Sequence, residues 1–353
     1  MLKEKELYLD SGYLDMAAII ETGIPFIIIT GGRGVGKTFG ALEYIVNSHR
    51  RFLFMRRTEA QVASISDNEF NVFNPLNKMY GYSIYPYKVN KTSYGYYESK
   101  WNEEKGKYIP QGQPIGYLGA LSTISNKRGF DASSIDIMIL DEFCPEKHER
   151  AMKNEDTALF NAYETINRNR ELEGRKPLQC ILLANANDIA SRILIGFNAI
   201  KIMERMRRSG RQIYVNDSKT LMIVRPNESK ISEQKRNTVL YQLTKNSDYE
   251  KMAIDNEYAG MGYSENRSRV LNEYVPVVFM KDIYLYKHKS RNEYYVSEHK
   301  QGKAVEYDSS EISLMRFRKT YNWLQNEYIN NHIIFENTLC EILFTQYMFR
   351  NNI

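Results

Sequence analysis

An octapeptide near the start of the chain has the residue types and spacing that bind a phosphate group. Residues 31–38 fit the pattern G-x-x-x-x-G-K-[ST]. Glycines let the backbone approach a phosphate closely, their N–H groups converge on the anion, and the following helix adds positive potential. The lysine reaches the terminal phosphates of a nucleotide and the hydroxyl binds Mg²⁺. The predicted ATP-binding residues are Gly31, Gly32, Arg33, Gly34, Val35, Gly36, Lys37 and Thr38, of which Lys37 is also catalytic and Thr38 is also a metal ligand.

Two adjacent carboxylates supply the second half of such a site. Asp141 and Glu142 follow the apolar run 135–140, which suits a strand buried on both faces. We expect Asp141 to hold Mg²⁺ and Glu142, which points elsewhere because strand side chains alternate, to polarise the attacking water. The alternative, a carboxylate pair at a surface strand end, is disfavoured because a phosphate loop precedes it. This combination predicts the additional-strand, catalytic-glutamate branch of P-loop ATPases.

Further polar residues stand where this chemistry would use them. Asn185 follows the next buried strand, 180–184, and could bind the water or the γ-phosphate, or could simply end the strand in a turn. Arg168 and Arg170 are candidates for an arginine finger that neutralises charge on the transferred phosphoryl group, or for helix C-terminal caps. The pair 56–57 ends a second strand, at the edge where α/β sheets bind ligands.

The elements that must position these residues alternate between strand and helix. Strands over 25–30, 51–56, 135–140 and 180–184 are separated by helical patterns, and an antiparallel excursion is predicted over 82–122. The fold class is therefore α/β, with a doubly wound P-loop NTPase core. The predicted domains are an ATPase domain over 1–206, a basic linker region over 207–245, and a smaller C-terminal α+β domain over 246–353 that ends in a helical tail.

The C-terminal half carries a basic stretch with interleaved tyrosines. Such a stretch could bind nucleic acid, because cations meet phosphates and aromatic rings stack on bases, or it could be the solvated face of a β-hairpin. Asp282 and Glu293 are too isolated to indicate a nuclease. The residues concerned are Lys281, Lys287, Lys289, Arg291, Lys300 and Lys303, with Tyr284, Tyr286, Tyr294 and Tyr295.

Composition limits the partners and the cellular setting that the chain can have. The 353 residues carry a net charge of +5, which permits a nucleic-acid partner without requiring one. The three cysteines are widely spaced and suggest neither a disulfide framework nor a zinc site, which predicts a reducing, cytoplasmic setting. The charged N-terminus has no signal-peptide pattern, and no apolar run is long enough to cross a membrane.

Taken in order, the motifs resemble those of one family. The segments are 31–38, 54–57 (FMRR), 139–143 (ILDEF), 168–171 (RNRE) and 183–186 (LANA). The set is similar to that of the DNA-packaging (encapsidation) ATPases of salasmavirus-type small podophages, whose motor carries a packaging RNA. The resemblance covers residues 25–200 well and thins afterwards. Each motif alone is generic to ATPases, whereas the ordered set is much more specific.

The resemblance implies a ring, usually a homopentamer, that hydrolyses ATP with Mg²⁺ at the portal vertex of an empty capsid and pumps double-stranded DNA inward. The partners implied are the portal connector and a packaging RNA, with no membrane. The protein would act in the host cytoplasm and be absent from the mature virion. Arg168 would act in trans on the neighbouring subunit's ATP, and Lys127 would also face that site. The C-terminal domain would resemble an RNase H-type nuclease that has lost its metal-binding carboxylates.

Three other functions remain open at this stage. A helicase or loader of the same ATPase branch would prefer single-stranded DNA. An ATP-gated adaptor without turnover would need a damaged site, yet Lys37, Thr38, Asp141 and Glu142 are all present. A large terminase with an active nuclease would need clustered C-terminal carboxylates, which the sequence pattern does not show.

Overall fold

The chain folds into two compact units. The first comprises Met1–Phe197 and Arg205–Ala259, and the second comprises Asn198–Glu204 and Gly260–Ile353. The structure is a computed structural model. It describes residues 2–90, 93–124, 134–145, 152, 154–185, 189–227, 229–256 and 268–349.

A large mixed sheet forms the centre of the first unit. Within the described residues its strand order is β3-β4-β6-β2-β7-β8-β1-β10-β9, and β5 pairs with β4. The strands are β1 (Phe26–Thr30), β2 (Phe52–Arg56), β3 (Ile84–Asn90), β4 (Ser93–Asn102), β5 (Lys107–Pro110), β6 (Gly116–Ala120), β7 (Ile137–Asp141), β8 (Gln179–Ala184), β9 (Ile213–Val215) and β10 (Leu221–Val224).

The middle of this sheet is parallel and fully buried. Neighbouring strands from β6 through β2, β7, β8 and β1 to β10 all pair in parallel. Every residue of β2, β7 and β8 is buried, as expected for strands covered on both faces. β8 lies between the strand that leads into the phosphate loop and the strand that ends in Asp141. This inserted strand confirms the predicted additional-strand type of P-loop core.

The predicted antiparallel excursion over 82–122 is also confirmed. β3 pairs with β4, β4 pairs with β5, and both pairings are antiparallel. β6 then returns to the core, antiparallel to β4 and parallel to β2. The excursion therefore extends the sheet at one end and does not interrupt the strands that carry the site.

Helices connect the strands of the first unit. None of the helices in the described part of the chain combines the length and the apolar character that a membrane span requires. The helices are α1 (Met16–Ile20), α2 (Lys37–Ser48), α3 (Glu59–Ile65), α4 (Asn74–Tyr80), α5 (Leu121–Ile124), α6 (Glu155–Asn167), α7 (Arg192–Gly196), α8 (Ala199–Ser209), α9 (Lys230–Arg236), α10 (Val239–Leu243) and α11 (Asp248–Ala253). Residues 199–204 of α8 belong to the second unit.

The structure divides the chain differently from the predicted 1–206, 207–245 and 246–353. The segment predicted as a linker contains β9 and β10, and β10 pairs with β1 from Phe26 opposite Leu221 onward. The start of the predicted linker, residues 207–209, lies within α8. Four-residue β10 is too short to stand out in the sequence, although it gives β1 its second parallel neighbour.

The second unit has its own sheet. Its order is β14-β11-β12-β13-β15, in which β11, β12 and β13 are antiparallel and each outer strand is parallel to its neighbour. The predicted helical tail over 311–349 is interrupted by β15. The RNase H-type assignment stays a prediction. The elements are β11 (Tyr274–Met280), β12 (Ile283–His288), β13 (Tyr294–Ser297), β14 (Val305–Tyr307), α12 (Glu311–Thr320), α13 (Leu324–Ile329), β15 (Ile333–Phe335) and α14 (Thr338–Met348).

The tyrosines of the basic stretch form part of the core of this unit. Tyr286, Tyr294 and Tyr295 are buried, and Tyr286 and Tyr295 pack in one aromatic cluster with Tyr274 and Phe279. These three rings are therefore not available to stack on bases, and of the four predicted tyrosines only Tyr284 is partly exposed. The lysines and the arginine of the stretch are exposed, and all of them except Lys287 lie between strands.

A buried ion pair anchors the start of α6. Arg57, directly after β2, donates from Nε to Oε1 of Glu155, the first residue of α6, at 2.5 Å. The two side chains are only 1% and 2% exposed. The sequence placed Arg57 with Arg56 at the ligand edge, whereas the structure turns it into the interior.

Removing one partner of this pair should destabilise the first unit. Glu155→Ala removes the carboxylate bonded to Nε of the buried Arg57, which we expect to cost about 3–5 kcal/mol. Glu164→Ala, at an exposed position of the same helix, should change stability by less than about 0.5 kcal/mol. Urea unfolding followed by circular dichroism measures both, and equal effects would contradict the structural role of the pair.

Candidate active site

The phosphate loop has the conformation that its sequence predicts. Gly34 and Gly36 have φ values of +73° and +92°, a region that side chains with a Cβ rarely adopt. Gly36 is the N-cap of α2, so the N-terminus of a 12-residue helix begins directly at the loop. The loop and helix together form an anion site.

Lys37 is buried and points back into this loop. Its Nζ donates to the carbonyl oxygens of Gly31 at 2.9 Å and Gly32 at 2.8 Å, and to Oδ1 of Asn185 at 3.1 Å. The structure thus brings Asn185, which follows β8, beside the lysine as the sequence order suggested. Burial lowers the pKa of Lys37 to about 7, with Lys235 and Arg33 acting in the same direction and Asp141 opposing them.

Residues from a distant segment hold the loop in place. The N–H of Arg33 donates to the carbonyl of Ala253 at 2.9 Å, and Nδ2 of Asn256 donates to the carbonyl of Thr30 at 2.8 Å. Lys235 of α9 donates to the carbonyl of Arg33. Sequence analysis missed these contacts because Lys235 and Asn256 belong to no motif.

Thr38 and Asp141 meet across the site. Oγ1 of Thr38 donates to the carboxylate of Asp141, with distances of 3.2 and 3.1 Å to its two oxygens. A hydroxyl and a carboxylate are hard oxygen donors of the kind that hold Mg²⁺ beside nucleotide phosphates. The donor set therefore fits the predicted metal site. Burial raises the pKa of Asp141, against the opposing charge of Arg56.

Arg56 links the two adjacent carboxylates. Its guanidinium lies 3.1 Å from Oδ2 of Asp141 and forms an ion pair with Glu142. Although burial disfavours the charged guanidinium, the two carboxylates raise its pKa. Glu142 has a left-handed backbone (φ 56°) and a side chain that is 55% exposed, so it turns away from the buried Asp141. The sequence marked Arg56 only as a residue at the ligand edge.

The two arginines at the end of α6 have different surroundings. Arg170 is buried and donates to the carbonyl of Ile135, and its Nη1 lies 3.6 Å from Asp136. Arg168 is exposed, caps α6 with φ 47° and ψ −127°, and donates from Nε to the carbonyl of Thr165 at 3.2 Å. Of the two candidates, Arg168 is the one whose guanidinium is exposed to a second molecule. Lys127 lies outside the described residues.

Comparison with known proteins identifies the family of this chain. A family model described as podovirus DNA encapsidation protein (Gp16) matches residues 10–304. The DNA packaging protein of Bacillus phage phi29 is 23% identical over 248 residues, which cover 68% of this chain and 65% of that protein. That of Bacillus phage B103 is 24% identical over 249 residues, covering 68% and 67%. This chain thus spans slightly less than two thirds of the phi29 protein.

Two solved structures of phage packaging motors contain chains with a similar fold. The bacteriophage Phi-29 viral genome packaging motor assembly contains a chain with a TM-score of 0.66 and 18% identity, and the match covers 96% of this chain and 100% of that one. The Phi-28 gp11 DNA packaging motor gives a TM-score of 0.61 and 18% identity, with coverage of 97% and 99%. These matches extend over both units.

Nucleotide binding should take up a proton at Lys37. The pKa of Lys37 is about 7 in the free site, and a bound phosphate raises it, so binding takes up a proton above that pH and not below it. The affinity for a non-hydrolysable ATP analogue without Mg²⁺ should therefore fall by up to about tenfold per pH unit above about pH 7.

Calorimetry at about pH 8 in two buffers of different ionisation enthalpy measures the uptake, which should approach about one proton per site. Lys37→Arg is the control, because a guanidinium remains charged over this range. Equal uptake by the variant would contradict the assignment of the proton to Lys37.

Proposed function

The chain belongs to the podovirus DNA encapsidation protein (Gp16) family, and we propose that it is an ATP-hydrolysing motor that translocates double-stranded viral DNA into a preformed capsid. The observation that carries this proposal is that the residues expected to hydrolyse ATP lie together at one edge of the sheet. The phosphate loop, Thr38 with Asp141, Glu142 and Asn185 converge there from separate strands. Its relatives are named as DNA packaging proteins.

Each residue has a separate task in this proposal. The backbone of residues 31–36 and the start of α2 receive the phosphates, and Lys37 exchanges its loop carbonyls for phosphate oxygens. Thr38 and Asp141 hold Mg²⁺, which neutralises charge on the phosphates when bound. Asn185 orients the terminal phosphate or the water.

Glu142 would take the proton of the attacking water. The ion pair with Arg56 occupies this carboxylate, so the pair must open before the carboxylate can contact the water. Because the Glu142 side chain is half-exposed, it can rotate without displacing buried residues.

The site also has a role for a second subunit. Arg168 is exposed, and its guanidinium donates to the last turn of its own helix. Its backbone has a positive φ, a conformation that costs about 1–3 kcal/mol for a residue other than glycine. We assign it to the neighbouring subunit's ATP, in a ring that the family resemblance gives as a homopentamer. The exposed lysines of the second unit would meet nucleic-acid phosphates.

The remaining partners follow from the same proposal. The ring would sit at the portal connector of an empty capsid in the host cytoplasm, with a packaging RNA as a further partner, and would leave before the virion matures. DNA gripped by its phosphates implies little sequence preference and strong salt dependence.

ATP turnover across protein concentrations, with and without long DNA, tests the function. Turnover per subunit should rise with concentration and rise further with duplex DNA, because the site is completed between subunits and coupled to DNA. Glu142→Gln should keep nucleotide binding and lose at least about 100-fold in turnover. Stronger stimulation by single-stranded DNA would favour a helicase or loader instead, and turnover indifferent to concentration and DNA would contradict the motor.

Mixed rings test the role of Arg168. Arg168→Ala and Glu142→Gln subunits should each be inactive alone, with an arginine finger contributing about 10³-fold or more to turnover. In a mixed ring, some Arg168→Ala subunits, which keep Glu142, lie beside Glu142→Gln subunits, which keep Arg168. Such interfaces contain both residues, so part of the activity should return. Arg175→Ala, at an exposed arginine beyond the same helix, is the matched control and should remain active. Absence of rescue in rings of normal size would count against action in trans.

A further inference from the structure

Two glutamates and a cysteine meet at one edge of the second unit's sheet. β13 and β15 are parallel neighbours, with Val296 opposite Phe335, so the residues that follow them emerge together. These residues include Glu298 and Glu336, and the first turn of α14 places Cys340 beside them. One ligand atom from each of the three side chains lies within 4.8 Å of the other two. Sequence spacing could not show this cluster.

The two carboxylates are oriented by neighbouring donors. Oγ of Ser297 and the backbone N–H of Glu298 donate to Oε2 of Glu336 at 2.8 and 2.9 Å. Nδ2 of Asn337 donates to Oε2 of Glu298 at 2.8 Å. Donors that fix one oxygen of a carboxylate and leave lone pairs for a metal are typical of the second shell of metal sites.

The thiol of Cys340 provides the independent observation. The residue is 0% exposed and its Sγ faces the two carboxylates. Its backbone N–H is bonded to Oδ1 of Asn337, whereas no hydrogen bond to Sγ is recorded within the part of the chain that the structure describes. The thiol packs at the edge of the hydrophobic core of this unit, and its sulfur is available to the two carboxylates as a third ligand for a cation.

The ammonium group of a lysine side chain already lies at the cluster. Lys201 forms an ion pair with Glu298, and its side chain is 44% exposed, so it can move into solvent. Nε2 of His299 lies 3.1 Å from Oε1 of Glu336, and this imidazole is 76% exposed. The site therefore attracts positive charge, offers a nitrogen that can rotate inward, and has a competitor that can leave.

We propose that Glu298, Glu336 and Cys340 bind Zn²⁺, with His299 or water as the fourth ligand. Sulfur, nitrogen and carboxylate oxygen are the donors that zinc takes in tetrahedral sites, whereas Mg²⁺ and Ca²⁺ prefer oxygen alone. Binding converts the thiol to a thiolate and releases its proton to solvent, and Lys201 leaves Glu298 at the same time. The metal would join the ends of β13 and β15 to the start of α14.

The proposal concerns a binding site in the second unit and stands independently of ATP hydrolysis in the first.

Metal titration of the full-length chain tests the site. Zn²⁺ is added against a competing chelator, and Co²⁺ replaces it to give the absorption band of a cobalt–thiolate bond. We expect one thiolate-bound metal per chain, with Cys340→Ser abolishing the band and Glu336→Gln weakening Zn²⁺ binding by about 100-fold or more. Cys144→Ser is the matched control, because Cys144 is also a buried free thiol but lies in the first unit, so its loss should leave the band unchanged.

Lys201→Met gives a change in the opposite direction. Removing the competing ammonium group should tighten Zn²⁺ binding by about tenfold, which decides the matter if Cys340→Ser fails to fold. The proposal is overturned if the unmodified chain gives no cobalt–thiolate band, if the band survives Cys340→Ser, or if Lys201→Met leaves the affinity unchanged.

Discussion

Parallel pairing of four neighbouring strands determines where the chemistry of this protein can take place. β2, β7, β8 and β1 run in the same direction, and their registers place Thr30 opposite Ala184 and Asp141 opposite Leu183. Their carboxyl ends are therefore level, and the side chains that follow them share one edge although they lie far apart in the chain. Ligands of open α/β sheets bind at this edge for the same reason.

The buried cationic side chains of the site have polar or charged partners before any substrate is present. Arg56 is matched by Asp141 and Glu142, and Lys37 is matched by loop carbonyls and Asn185. Unpaired buried charges would cost several kcal/mol each, so this pairing lets the loop fold without nucleotide. Substrate binding then becomes an exchange of partners, in which phosphate oxygens replace carbonyls, and this exchange can move the residues that were released.

The sequence was informative where a short segment carries its own signal. The phosphate loop, the carboxylates after β7 and Asn185 after β8 each follow a buried strand, so their order predicted that they would meet. Lys235 and Asn256 gave no such signal, because their contacts with the loop depend on how the chain returns after β10. Arg57 and the buried tyrosines have polar tips that suit a surface equally well, and only tertiary packing decides where they lie.

The return of the chain after β10 has a consequence for biosynthesis. Residues 30–38 leave the ribosome early, but two of the groups that hold them, the carbonyl of Ala253 and the side-chain amide of Asn256, are made more than two hundred residues later. Domains fold as units during synthesis, so the nascent nucleotide loop waits for most of the chain before it is fixed. A chain that ended between residues 206 and 234 would keep every recognisable ATPase motif and still lack Lys235, Ala253 and Asn256, which fix its phosphate loop.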